Sequence, residues 1–198
     1  MGNRSSSGSS SASGSGSSSS CGSSSSSNGG WQSNIKGGKW KNKLYFESTD
    51  KCGTIRHTLK DKDLTTDLKR LVGEDEMITY VTAYKVPLSE MQFTQNVFYH
   101  MFIVFETRKW FWSIEKQSDV ITLQRKKNKD AVKNKCRRKK RNDGREFMNC
   151  DCGNISVHSL IDWLYKKDEL DKPYHFLLRN CKHFARAVFN KVAKSEEV

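Results

Sequence analysis

Residues 97–106 are apolar at both parities: Val97, Tyr99, Met101, Ile103 and Phe105 alternate with Phe98, Phe102 and Val104. Successive side chains of a strand point to opposite faces, so a run that is apolar at both parities reads as a central strand covered on both sides. His100 is the one titratable group in that run before Glu106. Residues 110–115 resume the pattern as Trp-Phe-Trp-Ser-Ile-Glu, and the short 107–109 connection predicts an antiparallel hairpin. With the turn centred near Thr107 and Arg108, paired residue numbers sum to about 215, which sets Glu115 across from His100. A slip of one residue puts Lys116 there instead.

A second stretch constrains the chemistry. Phe184, Ala185, Val188, Phe189 and Val192 recur at helical spacing, and Asn180 just before them is a good N-cap, because its side-chain oxygen can accept a backbone N–H of the first turn. Cys181 therefore takes the first helical position. There the positive end of the helix favours thiolate, the nucleophilic form of sulfur. The rival reading is a small core hydrophobe.

The remaining elements follow from pattern. Residues 43–48 suit a short strand. Leu64, Leu68, Leu71 and Val72 form one stripe that ends at Gly73, an amphipathic helix over 63–73. Residues 77–86 are rich in Ile, Val, Thr and Tyr and stop at Pro87, which predicts a strand. Residues 121–123 extend a third strand of the hairpin. Val157, Leu160, Ile161 and Leu164 fit a helix capped by Asn154 or Ser156 and ending near Lys167, before Pro173 breaks the chain.

The chain of 198 residues predicts a single domain over 31–198, preceded by a leader over 1–30 that is almost all Ser and Gly. Such a segment has too little apolar surface to offset chain entropy and is expected to be disordered. No run approaches the roughly 18–20 apolar residues of a membrane span, and no secretory signal opens the chain. A cytoplasmic location with reduced cysteines is the expectation.

The formal net charge is +13, and residues 125–145 hold twelve Lys or Arg against two Asp. That segment has no apolar periodicity and predicts a solvated loop. Its core, with Arg137, Arg138, Lys139, Lys140 and Arg141, suits an anionic membrane surface and is also similar to a nuclear localisation patch, which adds the nucleus as a second location. A nucleic-acid partner is disfavoured, since the run lacks interleaved aromatics and any recognised module. Gly2, followed by Ser at the sixth position, fits an N-myristoylation pattern. One acyl chain binds membrane only marginally, and the basic loop or a palmitoyl group on Cys21 would be the second signal.

A thiol enzyme needs a thiolate, an imidazole to pair with it and a polar group to orient the imidazole. The candidates are Cys181 as nucleophile, His100 as base and Glu115 as orienter. Asn180 caps the helix, and the backbone N–H groups of its first turn, Lys182 among them, are placed to support an oxyanion. His183 is the rival base, but it lies two residues from Cys181, and positions i and i+2 do not share a helix face. His175 precedes the cysteine by six residues. A metal reading of Cys150, Cys152, Cys181 and His183 is weak, because each pair is separated by one residue where zinc pairs take two to four.

The segment Asn180-Cys181-Lys182-His183-Phe184, preceded by His100 on an aromatic strand, resembles the H-box and NC arrangement of the lecithin retinol acyltransferase-like proteins, permuted relatives of NlpC-type, papain-like thiol enzymes. The resemblance implies an α+β, circularly permuted papain-like fold, with a small antiparallel sheet packed on the cysteine helix. It also implies acyl transfer or hydrolysis on phospholipid or a related acyl substrate through a Cys181 thioester, with no metal or organic cofactor. The chain departs from that pattern at Lys182, where an acidic residue is usual, and at Met101, where Trp is frequent. The PPPDE thiol peptidases, which cleave ubiquitin-like conjugates, share the permuted order and a similar helix. A catalytically inactive membrane-associated scaffold is the third reading.

Overall fold

The computed structural model describes residues 39–88, 99–175 and 179–194, all within one unit, Lys36–Val198. In chain order the elements are β1 (Lys43–Asp50), β2 (Gly53–Lys60), a 3-10 turn (Asp61–Asp63), a π turn (Leu64–Leu68) and α1 (Lys69–Val72). There follow β3 (Ile78–Pro87), β4 (Tyr99–Thr107), β5 (Phe111–Lys116), β6 (Ile121–Lys126), α2 (Lys129–Asn134), β7 (Lys135–Cys136) and β8 (Lys139–Lys140). The chain continues through β9 (Glu146–Cys152), α3 (Val157–Lys166) and α4 (Cys181–Val192). Seven strands form one sheet in the order β2-β1-β6-β5-β4-β3-β9, and β7 and β8 form a separate pair. Every neighbouring pair is antiparallel except β1 and β6, which run parallel. The architecture is α+β.

The two-sided apolar pattern of β4 has the consequence expected of it. Met101, Ile103 and Phe105 join a core with Leu160 and Leu164 of α3 and Phe184, Val188 and Val192 of α4. Phe102 and Val104 join a smaller cluster with Tyr84, Val86 and Val132 of α2. Burying a side chain of this size contributes roughly 1.5–3 kcal/mol, so the two layers hold β4 from both faces. The helix expected over 63–73 is α-helical only as the short α1, the residues before it forming the 3-10 and π turns, while the two later helices form for local reasons. Ser156 caps α3 by accepting from the Ser159 N–H, and Gly73 ends α1 at φ +79, a backbone angle that glycine reaches without steric cost.

Two expectations are corrected. The hairpin pairs Ile103 with Ile114 and Glu106 with Phe111, a sum of 217 in place of about 215, because the Thr107 N–H donates to the Trp110 carbonyl and moves the turn outward. The basic run is not a solvated loop. Its first residues complete β6, the next form α2, and residues 135, 137 and 141 dock on the sheet through Gln124 and Glu115, which leaves 138–140 exposed. The buried Gln124 amide donates to the carbonyls of Val132 and Lys135 and accepts from the Arg137 N–H. Arg125 is buried as well, donating to Ser48 Oγ and to the Val72 carbonyl at the end of α1, with its guanidinium 4.3 Å from the Trp110 ring centre. A buried guanidinium needs such carbonyl partners, and charge counting cannot distinguish it from a solvated one.

Candidate active site

The β4–β5 ladder stops at Ile103 and Ile114, while β4 stays paired to β3 as far as Tyr99 and β5 stays paired to β6 as far as Lys116. The two strands therefore part, and α4 brings its first residue to the opening. Cys181 Sγ lies 3.9 Å from the Tyr99 carbonyl oxygen. The Met101 N–H, beyond the end of the β4–β5 ladder, donates to the same sulfur.

His100 sits at this opening and hydrogen-bonds to Cys181. Its Nε2 lies 2.7 Å from Glu115 Oε2. The two-residue change of register keeps Glu115 on the His100 face, since strand faces alternate with a period of two, and the carboxylate reaches the ring along the diagonal. Arg141 closes the chain of contacts. Its Nη1 donates to Glu115 Oε2 at 2.7 Å and its Nη2 to Oε1 at 2.6 Å, a bidentate fork, and the guanidinium stacks 3.8 Å from the Phe102 ring centre. Glu115 and Arg141 are both buried.

A fourth group meets the sulfur. Tyr174 hydrogen-bonds through its side chain to Cys181 and also receives the Cys181 backbone N–H. Asn180 Oδ1 accepts from the N–H groups of Lys182 at 3.0 Å and His183 at 3.3 Å, which caps α4. The Lys182 N–H is thus already engaged by the cap, and the Lys182 ammonium rests 3.7 Å from the Tyr99 ring centre. His183 Nδ1 pairs with Asn180 Oδ1 at 3.0 Å, and His175 pairs through its backbone with Arg179.

The electrostatics favour an ion pair. Burial pushes the Cys181 thiol up, but the hydrogen bond and positive charge of His100, the Met101 N–H and the Tyr174 hydroxyl outweigh it and leave the thiol below its ordinary value. Burial pushes His100 down, and its bonds to Cys181 and Glu115, with their charges, carry it up to about 9. Burial also raises Glu115, yet the charge of Arg141 and the bonds from His100 and Arg141 hold it well below the usual carboxylate range. Tyr174 is raised by burial and then by the neighbouring sulfur, so it remains a donor. Cys136, by contrast, is pushed far up by burial first and by Glu115 second. Cys181 is only 3% exposed, so a carbonyl approaching it meets a narrow edge of the side chain.

The sequence singled out Cys181, His100, Glu115 and Asn180, and the structure brings these four together. It brings Arg141 in as well, as a partner of Glu115 and not as an anionic-surface residue. Arg137 is likewise docked, with Nε on Thr122 Oγ1 and its guanidinium 4.9 Å from the Tyr45 ring centre, which leaves Arg138, Lys139 and Lys140 as the exposed part of that patch. Gly2 and Cys21 lie outside the described residues. Cys150 and Cys152 lie on β9, and among the described residues no three His, Cys, Asp or Glu converge as metal ligands. Sequence reasoning missed Tyr174, whose only signal is its position seven residues before the cysteine. It also missed Arg141 as a site residue, whose signal is drowned in a run of like charges. Among the described residues no helix is long and apolar enough to cross a membrane. Set against family models, curated proteins and solved structures, the chain matches none.

Proposed function

We propose that the protein is a thiol acyltransferase or acyl hydrolase, with Cys181 as nucleophile, His100 as general base and then acid, and Glu115 as the group that orients the ring. One observation carries the reading: an imidazole bonded on one side to the first-turn thiol of α4 and on the other to a buried carboxylate. The Cys181 thiolate attacks the acyl carbonyl carbon, forming the C–S bond, while His100 gives its proton to the departing alkoxide or amine as the old bond breaks. Water or an acceptor hydroxyl then loses its proton to His100 and attacks the thioester, which returns the thiolate. The Tyr174 hydroxyl, a donor already at the sulfur, would support the developing oxyanion.

The order His100, Glu115, Cys181 along the chain, on a largely antiparallel sheet with α4 behind it, supports a permuted papain-like fold of the lecithin retinol acyltransferase-like kind. A phospholipid acyl donor at an anionic membrane surface fits the exposed Arg138, Lys139 and Lys140. Intact mass after incubation with an acyl donor tests the reading. A mass increase equal to the acyl group, absent in Cys181→Ala and cleared by hydroxylamine, is expected; no adduct from ester, thioester or phospholipid donors overturns it.

A further inference from the structure

At the start of α4, beside its cap Asn180, lies a cavity of about 180 Å³ lined by Lys116, Glu169, Lys172, Arg179, Asn180 and His183, among others. Its charges are unequal: three cations face one carboxylate. Glu169 Oε1 pairs with Lys172 Nζ at 2.7 Å, and its Oε2 is 4.0 Å from Lys116 Nζ. A single carboxylate is thus shared by two ammonium groups, and Arg179 is exposed at the rim.

Lys116 is the unusual member. Its side chain is 2% exposed, its ammonium donates to the carbonyls of Lys172 at 2.7 Å and Glu169 at 3.3 Å, and it sits 4.7 Å from the Trp40 ring centre. Burial first, then the like charges of Lys172 and Arg179 against the attraction of Glu169, brings it down to about 8. Burying a cation beside two others costs free energy unless an anion offsets it. The catalytic contacts do not use it, for Lys116 projects from β5 on the face opposite Glu115.

We propose that this cavity binds the phosphate of a phosphomonoester carried by the acyl donor, so that the donor is held by its dianion while Cys181 attacks its carbonyl. Two excess positive charges match the roughly two negative charges of a phosphomonoester near neutral pH. The dipole of the twelve-residue helix α4 adds its field, its first N–H groups being held by Asn180 and Tyr174. Asn180 lines the cavity and caps the helix that starts at Cys181, so the cavity lies at the end of α4 that carries the nucleophile. This inference rests on the acyl-transfer reading of Cys181.

The test uses the full chain with Arg179→Glu, Lys172→Ala and Cys181→Ala variants. Inorganic phosphate, titrated calorimetrically, is expected to bind the unmodified chain and Cys181→Ala alike, and to bind Arg179→Glu about tenfold more weakly, ~1.4 kcal/mol. Acylation of Cys181 is then followed by intact mass with a soluble acyl glycerol 3-phosphate, with its dephosphorylated counterpart, and with phosphatidylcholine vesicles containing or lacking phosphatidate. Faster acylation by the phosphomonoester donors is expected, a preference abolished in Arg179→Glu and weakened in Lys172→Ala while the thiol of each variant still reacts with iodoacetamide at the unmodified rate. A preference confined to the soluble or to the vesicle donor supports the pocket and identifies its source of phosphate. No phosphate binding, with both kinds of donor acylating Cys181 equally, overturns the pocket and leaves the nucleophile standing. Phosphate binding with no acyl-enzyme from any donor overturns the acyl-transfer reading, and with it the assignment of the pocket to a donor.

Discussion

Arg141 grips both carboxylate oxygens of Glu115, at 2.6 and 2.7 Å, from inside a segment whose charge alone would send it to solvent. The fork leaves Glu115 Oε2 shared between the guanidinium and the His100 ring. A cation on the outer side of the carboxylate keeps it ionised, and an ionised carboxylate keeps the imidazole charged and in place.

Arg141→Leu should therefore be costly. It leaves Glu115 buried without its main counter-charge, and breaking such a pair costs about 3 kcal/mol. Urea denaturation of Arg141→Leu against the unmodified chain measures the loss. Arg141→Lys, which keeps the charge but not the fork, should recover only part of it.

Glu115 also predicts how stability responds to acid. Its folded value is held well below its ordinary 4.5, so the stability it contributes is present above pH 4.5 and is lost as pH falls below it. Denaturation midpoints across the acid range should drop steeply for the unmodified chain, and the slope should flatten in Glu115→Gln. Equal slopes would mean that the carboxylate is not the titrating group.

The rate at which iodoacetamide alkylates Cys181 should follow the thiolate. In the unmodified chain the midpoint of the pH profile falls below the ordinary thiol value of 9.0, because His100 is charged up to about pH 9 and favours the anion. In His100→Gln burial is no longer opposed by that charge, and the midpoint should rise to 9.0 or beyond. An unchanged midpoint would dissolve the ion pair.

Tyr174→Phe removes a hydroxyl donor from the sulfur while keeping the ring. A hydrogen bond to a charged group is worth about 1.5 kcal/mol, which raises the midpoint of the same alkylation profile by about one pH unit. The fold should persist, as judged by an unchanged circular dichroism spectrum.

Asn180→Ala removes the oxygen that accepts from the N–H groups of Lys182 and His183. Loss of an N-cap costs about 1 kcal/mol. Calorimetric unfolding should register that loss, and the slower alkylation of Cys181 that accompanies it would show that the cap holds the thiol at the opening.

Much of this arrangement is written locally. The parity of residues 99–107 decides that β4 is covered on both faces, and the 3.6-residue spacing after Asn180 decides that Cys181 opens a helix. Because strand faces repeat every second residue, Glu115 stays on the His100 face even though the register differs from the expected one by two. These are short-range properties of neighbouring side chains, and a sequence carries them openly.

Other features come into being only when distant segments meet. The parallel pairing of β1 with β6, the meeting of His100 with Cys181 and the Arg141 fork all join residues separated by many positions. Arg141 and Arg138 are the same residue type in one run of charge, yet the first is buried on Glu115 and the second is exposed. What separates them is the free energy of burying a cation, favourable only where acceptors already wait; for Arg141 the acceptor is the Glu115 carboxylate, whose position is set by the folded sheet.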